Sequence, residues 1–207
     1  MTKQTRTLLV GIAGGSGTGK TTIAEHLVAK YGAVHVDGDE IAHDALEDAT
    51  VVRRIAEEFA PVVVGGVVDR RALGRIVFAD QARLEVLNAI VHPWIVARCA
   101  RAVERACADG VPMVVVDAAL LLEVPMAFPF DVLVALRAGD DERLRRLLRK
   151  GGRSEGEIRD RLARQVAIEK HFYKADAVVD TGRDLDAVWA EVDAIVEAAR
   201  SRIEKEN

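Results

Sequence analysis

At 207 residues, half of them hydrophobic, the chain can bury one substantial core, and one α/β domain carrying an insertion is the expected organisation. A formal charge of −4 and a pI near 5.8 argue against broad electrostatic binding to nucleic acid or to an anionic membrane, so any anionic ligand must be held by local groups. The first residues, 1–7, hold no apolar signal core, no later run is long enough to span a bilayer, and the two cysteines, Cys99 and Cys107, read as reduced thiols; a soluble, cytoplasmic protein is expected, with a monomer favoured.

Short β-branched runs alternate with longer stretches of helical period, the pattern of βαβ units around a parallel sheet. Strands are predicted over 8–12, 33–37, 112–117 and 130–136, with a weaker fifth over 177–180. Helices are predicted over 20–31, 140–150, 154–173 and 185–202, with a long helical region and its breaks over 51–108. The stretch between the second and third strands exceeds what one crossover needs, which implies a helical substrate-binding insertion over about 49–110. Within it, residues 62–68 around Gly65-Gly66 fit a small hairpin or a buried loop, and the proline of His92-Pro93 suggests a bend between helices. The last residues, 204–207, are expected to fray.

The most specific signal is Gly14-Gly15-Ser16-Gly17-Thr18-Gly19-Lys20-Thr21, which satisfies G-x-x-x-x-G-K-[ST] directly after a strand and at a helix start. Glycines in such a loop let backbone N–H groups converge on a β-phosphate, and the helix N-terminus adds positive potential. Lys20 then reaches the β- and γ-phosphates of ATP, and the Thr21 hydroxyl, followed by Thr22, is placed for Mg²⁺. The apolar run Met113-Val114-Val115-Val116 ends in Asp117, the form of a strand whose terminal acid serves the metal. Alone that is common punctuation; beside a phosphate loop it reads as the metal-side acid.

Asp37-Gly38-Asp39 follows the second strand, where ligands of open α/β sheets bind. Asp39 is therefore a candidate general base for an acceptor hydroxyl, and the competing reading is that it N-caps a helix starting at Glu40. Arg143, Arg145, Arg146, Arg149, Lys150 and Arg153 cluster around Gly151-Gly152, after Asp140-Asp141-Glu142. Acid at the start and base at the end of a helix complement its dipole and describe an ordinary solvated face. The functional reading is a lid over 140–174 that brings Arg149 or Arg146 to the transferred phosphate.

Taken in order, these segments resemble the dephospho-CoA kinase family over about residues 8–188. The phosphate loop is followed by Val36-Asp37-Gly38-Asp39-Glu40-Ile41-Ala42, similar to the family's DAD-x-IAR segment, then by Asp69-Arg70-Arg71-Ala72-Leu73 and His92-Pro93. Asp117 with Leu120-Leu121-Leu122-Glu123 comes next, then 161–165, and finally Asp180-Thr181-Gly182. The resemblance implies a P-loop NTPase fold, three-layered around a parallel five-stranded sheet: a core at about 8–48, 111–139 and 175–202, a CoA-binding insertion and a lid. It implies ATP and Mg²⁺ as co-substrates, dephospho-CoA as acceptor and Asp39 as base. It places Asp37, Arg70, His92, Pro93, Leu120 and Glu123 on the acceptor side, and Thr181 with Gly182 near the adenine.

The chain departs from the family pattern at Ala13, Ala119, Thr181 and Lys150-Gly151, where the family commonly has Thr, Pro, Asn and Arg-Asp. The phosphate loop also resembles that of uridine kinases and phosphoribulokinases, so a nucleoside or sugar kinase is the alternative enzyme, and a nucleotide-binding regulatory homologue is the alternative of another class. The chain holds no Asn-Lys-x-Asp guanine motif.

Overall fold

The computed structural model describes residues 6–152 and 154–206, so Arg153 and Asn207 lie outside the described residues, as does the side chain of Leu120. Five strands form one parallel sheet: β1 (Leu8–Gly14), β2 (Val34–Asp37), β5 (Met113–Asp117), β6 (Val132–Arg137) and β7 (Ala177–Asp180). Their order is β2-β5-β1-β6-β7, so the chain turns to opposite sides of β1, and the carboxyl end of β1 lies at the point where strand order reverses. β1 is buried along its whole length, as a central parallel strand covered on both faces must be. All five strands fall where the apolar runs predicted them.

Helix α1 (Lys20–Tyr31) follows the phosphate loop and stops at Gly32, whose N–H bonds the Val28 carbonyl at 3.0 Å. The last helix, α8 (Leu185–Glu206), buries Val188, Val192, Val196, Ala199 and Ile203, a stripe spaced three and four residues apart. That stripe joins Ile23 and Leu27 of α1 and Val10, Ile12, Val134 and Val179 of the sheet in one core. Each such side chain contributes about 1.5–3 kcal/mol by leaving water, which is why the sheet and these two helices form the rigid base beneath the loop.

The chain divides into two compact units, one of Met1–Asp37 with Ala102–Asn207 and one of Gly38–Arg101. The second unit is mostly helical and opens with α2 (Gly38–Ala45). Inside this unit α3 (Ala49–Glu58) is capped by Asp48, whose carboxylate accepts the Thr50 and Val51 N–H groups at 2.9 and 3.3 Å. Asp69 does the same for α4 (Arg70–Val77), at 3.0 and 2.9 Å from Arg71 and Ala72.

Residues 62–68 adopt the hairpin: β3 (Val63–Val64) pairs antiparallel with β4 (Val67–Val68) across Gly65-Gly66. The valines beside the turn are 72% and 70% exposed, at Val64 and Val67, so the buried-loop alternative is excluded.

Helix α5 (Gln81–Ala108) runs unbroken through Pro93, which corrects the expectation of a bend between two helices at that point. A proline removes one backbone bond and costs about 3 kcal/mol. Ile90, Val91, Ile95 and Cys99 are buried on either side of it, and that burial offsets the loss. Both cysteines are free; burial pushes the Cys99 thiol up to about 11, the behaviour of an inert core residue. Among the described residues no helix is long and apolar enough to cross a membrane.

Candidate active site

Residues 14–19 leave the end of β1 and turn into α1 with the geometry that makes a cradle of amides. Gly14 has φ 152°, and a Cβ there would stand 2.7 Å from both the Leu136 carbonyl and the Thr18 Oγ1. Gly17 has φ 79°, and a Cβ there would stand 2.9 Å from the Arg143 carbonyl. Both positions therefore exclude any side chain, the first by backbone on β6 and the second by backbone on α6 (Asp140–Lys150). The loop is cross-tied internally by the Thr18 hydroxyl, which donates to the Gly15 carbonyl at 2.9 Å. Lys20 is buried at the first turn of α1, whereas Thr21 and Thr22 are exposed.

The outer side of the loop is held by the segment predicted as a lid. Arg143, only 4% exposed, donates from Nε to the Ser16 carbonyl at 2.9 Å, from one terminal nitrogen to Asp140 at 3.1 Å and from the other to Gln165 at 3.0 Å. Gln165 ends α7 (Glu155–Arg164) as its C-cap residue; its carbonyl oxygen accepts the Ser16 N–H at 2.7 Å and its amide donates to the Ser16 hydroxyl at 3.1 Å. Arg146, one turn after Arg143, donates to the Gly17 carbonyl at 3.3 Å and to Glu142 at 2.8 Å. It also binds Thr181 twice, at the hydroxyl (3.1 Å) and the carbonyl (2.6 Å). Thr181 is buried and passes its own hydroxyl proton to the Thr18 carbonyl at 2.8 Å.

The basic helix has one side carrying its own ion pairs and another that holds the phosphate loop. Arg145 and Arg146 pair with Glu142 along its own surface, and Arg143 and Arg146 grip the phosphate loop. Arg149 and Lys150 lie exposed in the last turn, before Gly151 closes the helix. α7 starts with a reciprocal cap between Ser154 and Glu157, and Leu144, Ile158 and Leu162 form the small core between α6 and α7. The helix predicted over 154–173 stops at Arg164 and continues as 3₁₀ turns over Val166–Lys174. Arg143 and Gln165 were not singled out from sequence as functional residues.

At the opposite edge of the cradle the register of β2 with β5 sets Asp37 directly across from Asp117, at the carboxyl ends of both strands. Asp117 is 1% exposed. Its Oδ2 accepts a hydrogen bond from His35 Nε2 at 3.1 Å, and that bond holds the imidazole above its usual pKa while burial pulls the other way. His35 was likewise passed over in the sequence, where it reads as one polar residue in an edge strand.

In the Gly38–Arg101 unit, α2 begins at Gly38, so Asp39 sits inside the first turn rather than at the N-cap of a helix starting at Glu40. Asp39 is exposed there. Arg70 donates to the His43 carbonyl at 3.2 Å, to Glu47 at 3.0 Å and to the His43 ring, tying α4 to α2. His92 is half-buried and Pro93 exposed in α5. In the larger unit Glu123 is exposed after a 3₁₀ turn over Ala119–Leu122, whose last carbonyl accepts the Lys174 ammonium at 2.7 Å. Gly182 is exposed and donates its N–H to Asp180 at 2.9 Å.

Comparison with known proteins places this arrangement. A family model for dephospho-CoA kinase matches residues 8–186. A protein of Leifsonia xyli subsp. xyli named dephospho-CoA kinase is 38% identical over 191 residues, covering 90% of this chain and 96% of its own. A crystal structure from Thermus thermophilus superposes with a TM-score of 0.75 at 30% identity, over 93% of this chain and 98% of that one. The dephospho-CoA kinase of Campylobacter jejuni, at 20% identity, has a TM-score of 0.60 over 94% and 98% of the two chains, and bears on the fold alone. A glycine-requiring amide cradle at the switch point of a parallel sheet, in a chain that matches its relatives nearly end to end, has one reading: the protein belongs to the dephospho-CoA kinase family.

Proposed function

We propose that this chain transfers the γ-phosphate of ATP to the ribose 3′-hydroxyl of dephospho-CoA, giving CoA and ADP. The observation that carries the proposal is the phosphate loop itself. The Ser16 N–H and hydroxyl and the carbonyls of Ser16, Gly17 and Thr18 are taken up by Gln165, Arg143, Arg146 and Thr181, which fixes the turn of the loop from outside. A loop buttressed in this way is organised before nucleotide arrives, which lowers the reorganisation needed during transfer.

In this reading Gly15, Ser16, Gly17, Thr18 and Gly19 line the β-phosphate site, with the Ser16 N–H held by Gln165 and the Thr18 N–H by the Gly15 carbonyl, and Lys20 neutralises charge on the β- and γ-oxygens. Thr181 and Gly182, tied to the loop through Thr18, border the adenine. Asp39 takes the proton of the acceptor hydroxyl, and Asp37, Arg70, His92, Pro93, Leu120 and Glu123 receive the rest of dephospho-CoA. Arg149 or Arg146 stabilises the transferred phosphoryl group; that Arg146 is already bonded to Gly17 and Thr181 while Arg149 is exposed supports Arg149 in this role.

The residues present fit Mg²⁺ of the kind brought with a nucleotide. Asp117 is a buried carboxylate across from a second, Asp37, and Thr21 offers a hydroxyl; among the described residues no three His, Cys, Asp or Glu side chains group as a metal site. A magnesium ion is commonly held by one or two carboxylates, with phosphate oxygens and water completing its shell. Thr21 and Asp117 would hold it, and when bound it supplies charge stabilisation to the polyphosphate.

The test is ADP release from the whole protein with dephospho-CoA, uridine, pantetheine or no acceptor. Turnover that requires dephospho-CoA is the expected result. Dependence on uridine instead, or nucleotide binding without turnover under any acceptor, overturns the proposal.

A further inference from the structure

His35 lies in β2, an edge strand whose neighbours Val34 and Val36 are β-branched and apolar. Side chains alternate across a strand, so His35 shares a sheet face with Asp37, and on β5 Asp117 shares a face with Val115, the register partner of His35. The imidazole therefore reaches diagonally to the one carboxylate at the end of β5. The observed contact is Nε2 to Oδ2 at 3.1 Å, with Asp117 buried and the His35 side chain 22% exposed.

An ionised carboxylate has only acceptors, so Nε2 carries the hydrogen whichever protonation state the ring adopts. The terminal torsion of an aspartate is broad and roughly two-fold, and a buried carboxylate with no donor would be both costly and free to turn about that bond. One donor on one oxygen removes both problems.

We infer that His35 is a positioning residue for the metal-side acid: by donating Nε2–H to Oδ2 it fixes the plane of the Asp117 carboxylate and reserves Oδ1 for the magnesium shell. The inference rests on the proposed nucleotide-dependent reading of Asp117. It adds to that reading a residue that acts through Asp117. Partners that orient a metal-binding group typically change metal affinity 10- to 100-fold when removed.

The experiment is calorimetric titration of ADP into the full-length protein, in excess Mg²⁺ and again in EDTA, for the parent, His35→Val and His35→Gln. Valine suits the strand and removes the donor; glutamine places an amide N–H near the position of Nε2. Expected for His35→Val is a loss of about 10- to 100-fold in Mg²⁺-dependent ADP affinity, with the EDTA affinity within about 2-fold of the parent. His35→Gln should recover most of the loss. Equal affinity of His35→Val and parent in Mg²⁺, equal losses with and without Mg²⁺, or a glutamine variant as weak as the valine one would each overturn the inference. Should His35→Val not fold, His35→Asn, whose amide stops one bond short, replaces it with the same expected ordering against His35→Gln.

Failure here is separable from failure of the activity. Acceptor-dependent turnover of the parent reports on the proposed reaction alone, whereas a parent whose ADP affinity ignores Mg²⁺ removes the metal role of Asp117 and this inference with it.

Discussion

The Thr181 hydroxyl donates to the Thr18 carbonyl at 2.8 Å, binding the loop after the last strand to the crest of the phosphate loop. The same oxygen accepts from Arg146 at 3.1 Å, so one buried hydroxyl joins β7, the phosphate loop and α6.

Replacing Thr181 by valine keeps the shape and removes the hydroxyl's bonds to Thr18, Arg137 and Arg146. Loss of buried hydrogen bonds of this kind costs about 1–3 kcal/mol. Steady-state kinetics should show KM for ATP raised about 5- to 20-fold with a smaller fall in kcat, and urea titration should show the stability loss. A variant with unchanged KM for ATP would mean that the Thr18–Thr181 link does not shape the nucleotide site.

Arg143→Met retains the buried stem and gives up the bonds to Ser16, Asp140 and Gln165. Hydrogen bonds from a charged donor are worth about 1.5–3 kcal/mol, and these act together, so a loss of about 2–4 kcal/mol in unfolding free energy is expected. The same variant should bind ADP more weakly, because the loop amides are no longer held in register. Gln165→Leu should weaken ADP binding in the same direction with a smaller loss of stability. Parent-like ADP affinity in both variants would show that the buttress is merely structural.

Asp39→Asn should lower kcat by about 10²- to 10⁴-fold, the range for a lost general base, while ADP affinity stays near that of the parent. Thermal denaturation should show a small loss of stability, because the substitution removes a negative charge from the first turn of α2. Near-normal turnover would remove Asp39 from the proton-transfer step.

Away from the site, Asp193 on α8 is opposed by burial but receives hydrogen bonds from Lys30 (2.7 Å), His26 (2.9 Å) and Tyr31 (3.1 Å), and its pKa is held below the ordinary carboxylate value. A group depressed in the folded state contributes stability at pH above its unfolded pKa, near 3.8, and that contribution is lost as pH falls through the lower, folded value. Asp193→Ala should therefore be less stable than the parent at pH 7, and the difference between the two should shrink steadily below about pH 4. Chemical denaturation across that range measures it. A pH-independent difference would mean that the α1–α8 contact is held by packing, such as the stacking of His26 on Trp189, and not by the carboxylate charge.

Much of this architecture is legible in the chain because its signals are redundant. The Val run of β5, the spacing of Val188, Val192 and Val196, and the glycine pattern at 14–19 each have one physical outcome. Pro93 misled because a local rule met a helix whose neighbouring turns are buried, and tertiary packing outweighed it. The buttress was hidden for a different reason. Arg143, Arg145, Arg146 and Arg149 spread around α6, and only the packed structure shows that the side of Arg143 and Arg146 abuts the loop while Arg149 is exposed. Gln165 and His35 carry no motif of their own. Their partners, Ser16 and Asp117, lie 149 and 82 residues away in the chain, and pairing across such distances is set by strand register and helix docking.

The most direct test of the central claim is a single-turnover quench with γ-labelled ATP, Mg²⁺, dephospho-CoA and excess protein, with separation of the products. The account predicts that the label leaves ATP at the rate ADP appears and is recovered on the 3′-oxygen of CoA, and that Lys20→Ala abolishes this transfer. Label recovered only as inorganic phosphate, or an unchanged rate in the Lys20 variant, would contradict it.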